Sequence, residues 1–362
     1  MDLLKGIKIV DFSGYYPGPS ATLRLQEWGA SVVKIEPPAG DYARVFRRPD
    51  KETEGNIFQC WNRGKQCVTF DLKDTDDLAR CKQLVAEADV VVEGFRPGVM
   101  SRFGLGYEDV KAVNKGVVYV SISGYGATGS LSSKSGHDLN YLALAGVLGL
   151  LRGNDGAPIF PDVLFCDTVT GIVASEAILA GLVGRSLNPE GEGAYFDISM
   201  TEAVLGLVQP GLGENALGNA PRYTLRCVNF NVYETADGRY VTLAAMEPKF
   251  WKAFCDAVDR PDLIKAFETP ATVDNPFYRR VVALFKSRTF EEWTQFFYDE
   301  DCCFAPVLDV DELEEFPLFA ERSMIESRNG FTFVKPHYEG DGVPLRDYEI
   351  FMPKMGENNL GL

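Results

Sequence analysis

Histidine is scarce in this chain, since only His137 and His337 occur among 362 residues. Most metal sites built from several histidines are therefore excluded. The eight cysteines form no Cys-x-x-Cys pair, which argues against a zinc ribbon and a thioredoxin-like redox motif. Scattered cysteines in a chain of this length are typical of reduced thiols, so the sequence predicts a cytoplasmic protein.

The chain also has fewer positive than negative residues, and it lacks long apolar runs. The chain has 36 lysines and arginines against 52 aspartates and glutamates, a formal net charge of −16. Nucleic acids and anionic membranes attract basic surfaces, so neither is an expected partner. No run of about 18 apolar residues occurs, and we expect no membrane span. The first residues, MDLLKGIKIVDF, lack the apolar core and the cleavage site of a signal peptide.

Strand and helix patterns alternate over residues 1–125. Short apolar runs such as IKIVDF, ASVVKIE and ADVVVEGF are separated by amphipathic stretches such as DTDDLARCKQLVAEA. Parallel strands joined through helices produce this alternation, and their crossovers are right-handed by default. The sequence therefore predicts an α/β fold with an open, mostly parallel, Rossmann-like sheet.

The same patterns suggest two domains. We expect a large domain over 1–208, a loop-like linker over 209–226 and a smaller α+β domain over 227–308. The smaller domain begins with a predicted hairpin around Asp237–Gly238, a dipeptide that favours tight turns. A return linker is expected over 309–324.

Two glycine-rich loops lack nucleotide-binding signatures. The loop SGYYPGPS (13–20) follows the first strand, the usual ligand position of an open α/β sheet. It has no G-x-G-x-x-G pattern, and its two prolines remove N–H groups that would bind a pyrophosphate. The loop SGYGATGS (123–130) lacks the Gly-Lys-Ser/Thr ending of a P-loop. Dinucleotide-dependent oxidoreductases and nucleotide hydrolases are therefore not favoured.

Basic residues nevertheless occur in the loops of the predicted large domain. They are Arg44, Arg47, Arg48 and Lys51, then Arg63 and Lys65 in NRGK, then Arg96 in EGFRPG, and Arg102. Taken singly, each is typical of solvated surface charge. Taken together at successive loops of one sheet, they could hold a polyphosphate through charge-assisted hydrogen bonds.

Two titratable residues stand where helices are expected to begin. His137 lies in SGHDLNYLALAG and Asp167 lies in VLFCDTVTG. In a purely structural interpretation, His137 is a satisfied, partly buried histidine and Asp167 is an N-cap. A carboxylate among apolar residues is nevertheless costly to bury. The functional alternative is that both groups face one another across a pocket at the mouths of adjacent helices.

The ordered set of motifs resembles the family III CoA-transferase and α-methylacyl-CoA racemase superfamily over nearly the whole chain. The motifs are LKGIKIVDFSGYYPGP, GASVVKIEPP, NRGK, VVEGFRPGVMSRFGLG, YVSISGYGATG, SGHDLNYLALAGVL, FCDTVTG, GEGAYFDISMTEA, ADGRYVTLAAMEPKFW and CFAPVLDVDE. The resemblance implies an interlocked homodimer, each chain being a ring threaded through the other. It also implies a large domain that contains both termini, so that 325–362 would complete it.

The resemblance assigns roles to three candidate catalytic residues. Asp167 matches an aspartate that both branches share, which is the nucleophile of the transferases and an acid/base of the racemases. His137 matches the racemase histidine in a G-H-D-x-N-Y segment. Glu247, in AAMEPKF, resembles the glutamate that orients this histidine.

The CoA contacts implied by the resemblance lie in the basic loops. Arg96 and the NRGK loop match racemase contacts, so we expect CoA to bind at the loops of Arg63, Lys65, Arg96 and Arg102. CoA itself is the only cofactor expected, as part of the substrate. Neither a metal nor a redox group is needed for proton transfer at the α-carbon of an acyl-CoA.

These residues predict an acyl-CoA epimerase that inverts the α-carbon of a 2-methylacyl-CoA-like thioester through an enolate. Inversion needs a proton carrier on each face of the carbon, and histidine with a carboxylate suits this work near neutral pH. The enolate oxygen needs hydrogen-bond donors, for which we expect backbone N–H groups at the helix start near Asp167.

Two alternatives stay open at the level of the sequence. One is a family III CoA-transferase, which would move CoA between carboxylic acids through an aspartyl anhydride and an aspartyl-CoA thioester. The other is a non-catalytic relative that binds acyl-CoA without turnover.

Overall fold

The computed structural model describes residues 2–47, 54–153, 155–218, 226–328 and 331–336. The chain forms two compact units. The first comprises Met1–Pro221 with Glu326–Leu362, and the second comprises Arg222–Ile325. Of the segment 325–362, which we expected to complete the large domain, residues 337–362 lie outside the described part.

A six-stranded sheet forms the centre of the first unit. Its strands are β1 (Lys8–Asp11), β2 (Ser31–Glu36), β3 (Gln66–Thr69), β4 (Val90–Glu93), β5 (Val118–Ser123) and β6 (Ala194–Ser199). The strand order is β3-β2-β1-β4-β5-β6, and every neighbouring pair is parallel. The predicted open, parallel α/β sheet is confirmed. The direction of strand succession reverses between β1 and β4, which leaves a crevice beyond their carboxyl ends.

Helices cover both faces of this sheet. Those that the structure describes in the first unit are α1 (Pro17–Glu27), α2 (Asn56–Asn62), α3 (Thr75–Ala86), α4 (Val99–Arg102), α5 (Tyr107–Val113), α6 (Asp138–Leu144), α7 (Val147–Leu150), α8 (Phe165–Leu187), α9 (Met200–Ala203) and α10 (Gln209–Ala216). Short 3₁₀ helices occur at Tyr42–Arg44 and Val204–Val208. A two-stranded sheet of β10 (Ile325–Arg328) and β11 (Phe331–Val334) follows where the chain returns to this unit.

The central strands are apolar throughout because each face meets a layer of helices. In β4, Val90 and Val92 pack in one cluster with Ile178 of α8. Val91 points to the opposite face and packs with Val110 of α5. Strands buried on both faces lose the polar–apolar alternation of half-exposed strands, which explains the continuous VVV run.

Helix α8 approaches the sheet and α1 closely because glycines lie at its contacts. A Cβ atom on Gly171 would lie 2.1 Å from Oγ of Ser20 in α1, and one on Gly181 would lie 2.7 Å from Cγ1 of Val118 in β5. The helix is also long and apolar enough to cross a membrane by length and composition, a test that core helices of soluble proteins pass as well. Ala174 and Ile178 of this helix are buried in the core of the first unit.

The second unit combines a small antiparallel sheet with helices. Its strands are β7 (Phe230–Glu234), β8 (Tyr240–Ala244) and β9 (Phe304–Pro306), in the order β7-β8-β9. Its helices are α11 (Pro248–Ala257), α12 (Pro276–Phe285), α13 (Phe290–Asp299) and α14 (Pro317–Glu321), with 3₁₀ turns at Pro261–Ala266 and Val310–Glu312. The predicted hairpin is present between β7 and β8, and Gly238 provides the positive φ that its turn needs.

The segment expected to be a loop-like linker, 209–226, is partly helical. Helix α10 occupies Gln209–Ala216, with Pro210 in its first turn, where a missing N–H costs nothing. Residues 219–225 lie outside the described part. The second unit also extends past the expected end at 308, because α14 and a 3₁₀ turn occupy the predicted return linker.

Two alanine substitutions on α8 test this close packing. Gly181→Ala should destabilise the protein by about 1–3 kcal/mol, because the added methyl group collides with Val118 and Phe196. Gly184→Ala meets no atom within 4 Å and should be neutral or stabilising by up to about 1 kcal/mol. Urea denaturation of both variants provides the measurement, and equal stabilities would contradict this packing.

Candidate active site

The crevice beyond the carboxyl ends of β1 and β4 contains two joined cavities. The wide cavity, about 590 Å³, is formed by the loops that follow β1, β2, β3 and β4. The narrow cavity, about 270 Å³, lies between the loops after β1, β4 and β5 and the segment that leads into α6. Both are lined by Ser13, Gly14, Gly94 and Phe95, so they form one continuous crevice.

The wide cavity is largely aromatic and has one exposed cation on its wall. Its rings are Phe12, Tyr15, Tyr42, Phe70, Phe95 and Phe103. Lys73, in the loop after β3, is exposed at its edge. Such a lining suits a flat, partly apolar group that carries negative charge at one end.

The narrow cavity is polar and positively charged. Arg96, Lys134 and His137 line it and are exposed. The charged groups of Arg96 and Lys134 have no ion-pair partner among the described residues. These cations are therefore available to an anionic ligand.

A buried charge network fixes the loop between the two cavities. Nζ of Lys34 donates to the carbonyl of Ser13 at 2.7 Å and pairs with Asp41 at 2.9 Å. Asp41 in turn accepts from the N–H of Tyr15 at 3.1 Å. Tyr15 has a φ of +66°, a left-handed conformation that is uncommon for a residue with a side chain. The network therefore holds a strained loop in place at the crevice.

Lys65, expected to contact CoA, belongs to the interior instead. Its side chain is fully buried and its Nζ donates to the carbonyl of Pro19 at 2.9 Å and to Oγ1 of Thr22 at 2.8 Å. It also pairs with Asp11 at 3.3 Å and reaches Oδ1 of Asn62 at 3.1 Å. Burial, partly offset by Asp11, lowers the pKa of Lys65 to about 8. A lysine with this set of partners does not reach a ligand in the crevice.

Arg63, the other basic residue of the NRGK loop, is also buried away from the crevice. Its guanidinium pairs with Glu27 of α1 at 2.5 Å and donates to the carbonyl of Val334 in β11 at 3.4 Å. It lies 5.2 Å from the ring centre of Phe333. The expectation that the NRGK loop presents cations to CoA is therefore wrong. The reason is that both charges neutralise carboxylates beneath the loop.

Arg96 and Arg102, by contrast, are exposed on the loop and short helix that follow β4. Arg96 lies in the narrow cavity, whereas Arg102 at the end of α4 lines neither cavity. The role predicted for Arg102 stays a prediction. Lys73 and Lys134 were missed by the sequence reasoning, although each lies in a loop after a strand as Arg96 does.

The starts of α6 and α8 are joined by one carboxylate. Asp138, the first residue of α6, accepts a hydrogen bond from the N–H of Asp167 at 3.0 Å. Asp138 thus caps α8 from a different helix and brings the segment of His137 beside Asp167. Asp167 itself lies inside α8, whose N-cap is Leu164. The interpretation of Asp167 as an N-cap is wrong.

Most of the donors expected for an enolate oxygen near Asp167 already have partners. The N–H of Phe165 bonds to the carbonyl of Val163 at 2.9 Å, and that of Thr168 bonds to the carbonyl of Leu164 at 3.1 Å. The N–H of Asp167 bonds to Asp138. Stabilisation of an enolate oxygen by this turn of α8 stays a prediction.

The carboxyl group of Asp167 titrates near neutral pH. It is 7% exposed, and burial together with the negative charge of Asp138 raises its pKa to about 7. Its charge also contributes to the raised pKa values of Tyr15 and Tyr16, so both phenols lie near it. A carboxyl with this pKa can exchange a proton at neutral pH or act as a nucleophile.

His137 is exposed at the N-cap position of α6. The backbone N–H of His137 donates to Oδ1 of Asn140 at 3.1 Å. The hydroxyl of Tyr141 holds the preceding loop by donating to the carbonyl of Gly136 at 2.6 Å. The imidazole has no hydrogen-bond partner among the described residues. The interpretation of His137 as a satisfied, partly buried histidine is therefore wrong.

Glu247 lies in the second unit, where it is the exposed N-cap of α11. Its predicted orientation of His137 joins residues of different units and stays a prediction. Among the described residues, no three His, Cys, Asp or Glu side chains are grouped as metal ligands.

Comparison with known proteins covers nearly the whole chain. The family model described as CoA-transferase family III matches residues 4–358. Human α-methylacyl-CoA racemase is 32% identical over 86% of this chain and 79% of its own length. Human succinyl-CoA:glutarate CoA-transferase is 29% identical over 92% of this chain and 76% of its own length. A crystal structure of a hypothetical protein from Mycobacterium tuberculosis superposes with a TM-score of 0.85 at 27% identity, covering 99% of this chain and 98% of that one.

Replacing Asp167 by asparagine tests its raised pKa without reference to function. The folded chain releases the Asp167 proton near pH 7, whereas an unfolded aspartate releases it near pH 4, so wild-type stability falls between those values. The stability of Asp167→Asn relative to wild type should therefore rise by about 2 kcal/mol between pH 5.5 and 8. Thermal unfolding at both pH values measures this, with the exposed Asp162→Asn before the same helix as control. A relative stability that does not change with pH would contradict the assignment.

Proposed function

Because the chain belongs to CoA-transferase family III, we propose that this enzyme is an acyl-CoA epimerase that inverts the α-carbon of a 2-methylacyl-CoA-like thioester. The family includes both racemases and transferases. The observation that favours epimerisation is Asp167, whose pKa is raised to about 7 and which is tied through Asp138 to the segment of His137. Two proton carriers at one place are what inversion requires.

The proposed reaction consists of two proton transfers. One of the pair His137 and Asp167 removes the α-proton, and the electron pair of the broken C–H bond forms an enolate with the thioester carbonyl. The other residue then gives a proton to the opposite face, and the C–H bond reforms with inverted configuration. Neither residue is consumed, because proton exchange with the solvent returns both to their starting protonation states before the next turnover.

The CoA portion is proposed to occupy the crevice. The aromatic wide cavity suits the adenine, and Lys73 and Arg96 can pair with phosphate oxygens at its two sides. Lys134 adds a third cation beside His137 in the narrow cavity. The crevice thus concentrates positive charge locally on a protein whose net charge is −16.

A CoA-transferase remains the second candidate. In that reaction a carboxylate oxygen of Asp167 attacks the thioester carbonyl, and the C–S bond breaks to give an aspartyl anhydride and CoA thiolate. The human transferase relative favours it, as does the imidazole of His137, which no described residue of its unit orients. The two reactions differ in whether the α-proton is exchanged.

A second copy of this chain is the proposed partner. The first unit exposes large apolar side chains on α8 and α10 and near them, among them Phe160, Val183, Leu187 and Leu212, of which Leu187 is 77% exposed. Large apolar side chains exposed in this number are typical of a surface that a partner covers. We therefore propose a homodimer, interlocked as the family resemblance implies, with the cytoplasm as its location and neither membrane nor nucleic acid as a partner.

Isotope exchange on separate enantiomers distinguishes the two reactions. With (R)- and (S)-2-methylacyl-CoA in heavy water, the wild type should label and invert both. His137→Gln should stop inversion, because one face loses its proton carrier, while slow labelling continues from the face that Asp167 serves. Mass spectrometry and chiral chromatography measure the products. A wild type that moves CoA to an added carboxylic acid without α-proton exchange would identify a transferase instead.

Charge removal tests the proposed CoA position. Lys73→Ala and Arg96→Ala should each weaken CoA binding by roughly tenfold, since a charge-assisted hydrogen bond contributes about 1.5–3 kcal/mol. Lys115→Ala is the matched control, because this exposed lysine precedes β5 at the opposite edge of the sheet. Isothermal titration at low and high salt measures affinity. Unchanged affinity in both crevice variants would place CoA elsewhere.

A further inference from the structure

A third cavity, whose wall includes the residue that follows Asp167, has no role in the proposed binding of CoA. This side cavity, about 430 Å³, is enclosed by α1, α2, α8 and β11, all within the first unit. Its walls are mainly apolar and aromatic, formed by Leu23, Trp28, Trp61, Ile172, Leu179 and Phe333. Cavities of roughly 300–1,000 Å³ with such linings are typical of small-molecule sites.

Helix α8 connects this cavity to the candidate catalytic carboxyl. Thr168, Ile172, Ser175 and Leu179 recur at helical spacing and form the face of α8 that lines it. Thr168 directly follows Asp167 in sequence. The cavity wall therefore includes the residue next to Asp167, although Asp167 itself does not line it.

Tyr16 stands between Asp167 and the cavity wall. Its hydroxyl lies 3.0 Å from Oγ1 of Thr168, and its ring centre lies 4.8 Å from that of Trp61. Thr168 and Trp61 line the cavity, whereas Tyr16 does not. Tyr16 lies toward Asp167, whose negative charge helps to raise the pKa of the Tyr16 hydroxyl. A chain that extends from the reacting carbon would pass Tyr16 to enter the cavity.

The charges around this path favour an uncharged chain. Asp138 and Asp167 lie at its start, and the described side chains that interact electrostatically with Asp167 include no cation. A short dicarboxylate would add a third negative group there. Farther along, Arg63 and Lys335 are already paired with Glu27 and Glu326, which leaves Arg24 as the cation at the rim among the described lining residues.

We propose that the side cavity binds the acyl chain of the substrate, so that the enzyme prefers thioesters of medium-length apolar acids over those of short dicarboxylic acids. This inference rests on the proposed action on acyl-CoA. It holds for either reaction, because both need the thioester carbon beside Asp167. Each buried methylene should raise kcat/KM by about fourfold until the cavity is full.

A chain-length series on a variant with a filled cavity tests the proposal. With 2-methylacyl-CoA thioesters of 4 to 12 carbons, the wild type should show the rising kcat/KM, and succinyl-CoA should be a poor substrate. Leu179→Trp should lose at least about tenfold for the longest chains, the equivalent of about two buried methylenes. Its activity on the shortest chain should change little. Ala112→Trp is the control, because Ala112 is exposed on α5 and lines none of the three cavities.

A binding measurement keeps the proposal testable if Leu179→Trp fails to fold. An acyl-CoA with bromine at the end of its chain should quench wild-type tryptophan fluorescence by contact with Trp28 and Trp61. The double variant Trp28→Phe/Trp61→Phe should lose this quenching, because Trp251 and Trp293 are buried in the core of the second unit.

The outcomes separate this inference from the proposed function. Leu179→Trp could still catalyse exchange or transfer, with kcat/KM rising with chain length as in the wild type. That result would overturn the cavity assignment without contradicting the proposed reaction. Quenching that survives in the double variant would also overturn it. Quenching confined to Trp28 and Trp61 without turnover of any acyl-CoA would support the cavity and refute the enzymatic proposal.

Discussion

The hydrogen bond from the N–H of Asp167, in the first turn of α8, to the carboxylate of Asp138 is the interaction on which the candidate site depends. Helix α8 packs on α1, on β5 and on the core, so its first turn is rigidly placed. Asp138 ties that turn to the start of α6. The same carboxylate brings the segment of His137 to the start of α8 and places a second negative charge beside Asp167. Burial, together with the charge of this capping carboxylate, makes Asp167 hold its proton up to about pH 7.

The basic residues divide into two groups with different roles. Lys34, Lys65 and Arg63 are buried and paired, and they hold the first loop, helix α1 and strand β11 in place. Lys73, Arg96 and Lys134 are exposed at the crevice and available to a ligand. An acidic protein can bind a polyanion in this way, because the interior charges fix the loops and the surface charges face the crevice.

The sequence allowed the fold to be predicted further than the site. Alternating apolar runs indicated the parallel sheet, because each strand is buried on both faces, and Asp237–Gly238 indicated the hairpin. That the starts of α6 and α8 lie close together was also predicted, but the bridging role of Asp138 was not. Nothing in NRGK distinguishes a buried, paired Lys65 from a solvated one, since its carboxylate partner, Asp11, lies far away in sequence. The helical content of 209–216 was missed because Pro210 suggested a loop although it occupies the first turn of α10.

The pH dependence of α-proton exchange tests the central claim most directly. If Asp167 is a proton carrier tuned by Asp138, the exchange rate should show an inflection near pH 7, and Asp138→Asn should move that inflection to lower pH because the like charge is removed. An asparagine at position 138 keeps an oxygen that can accept from the N–H of Asp167, so α8 should remain capped. An exchange rate without an inflection between about pH 5 and 9, or an inflection that the variant leaves in place, would contradict the account.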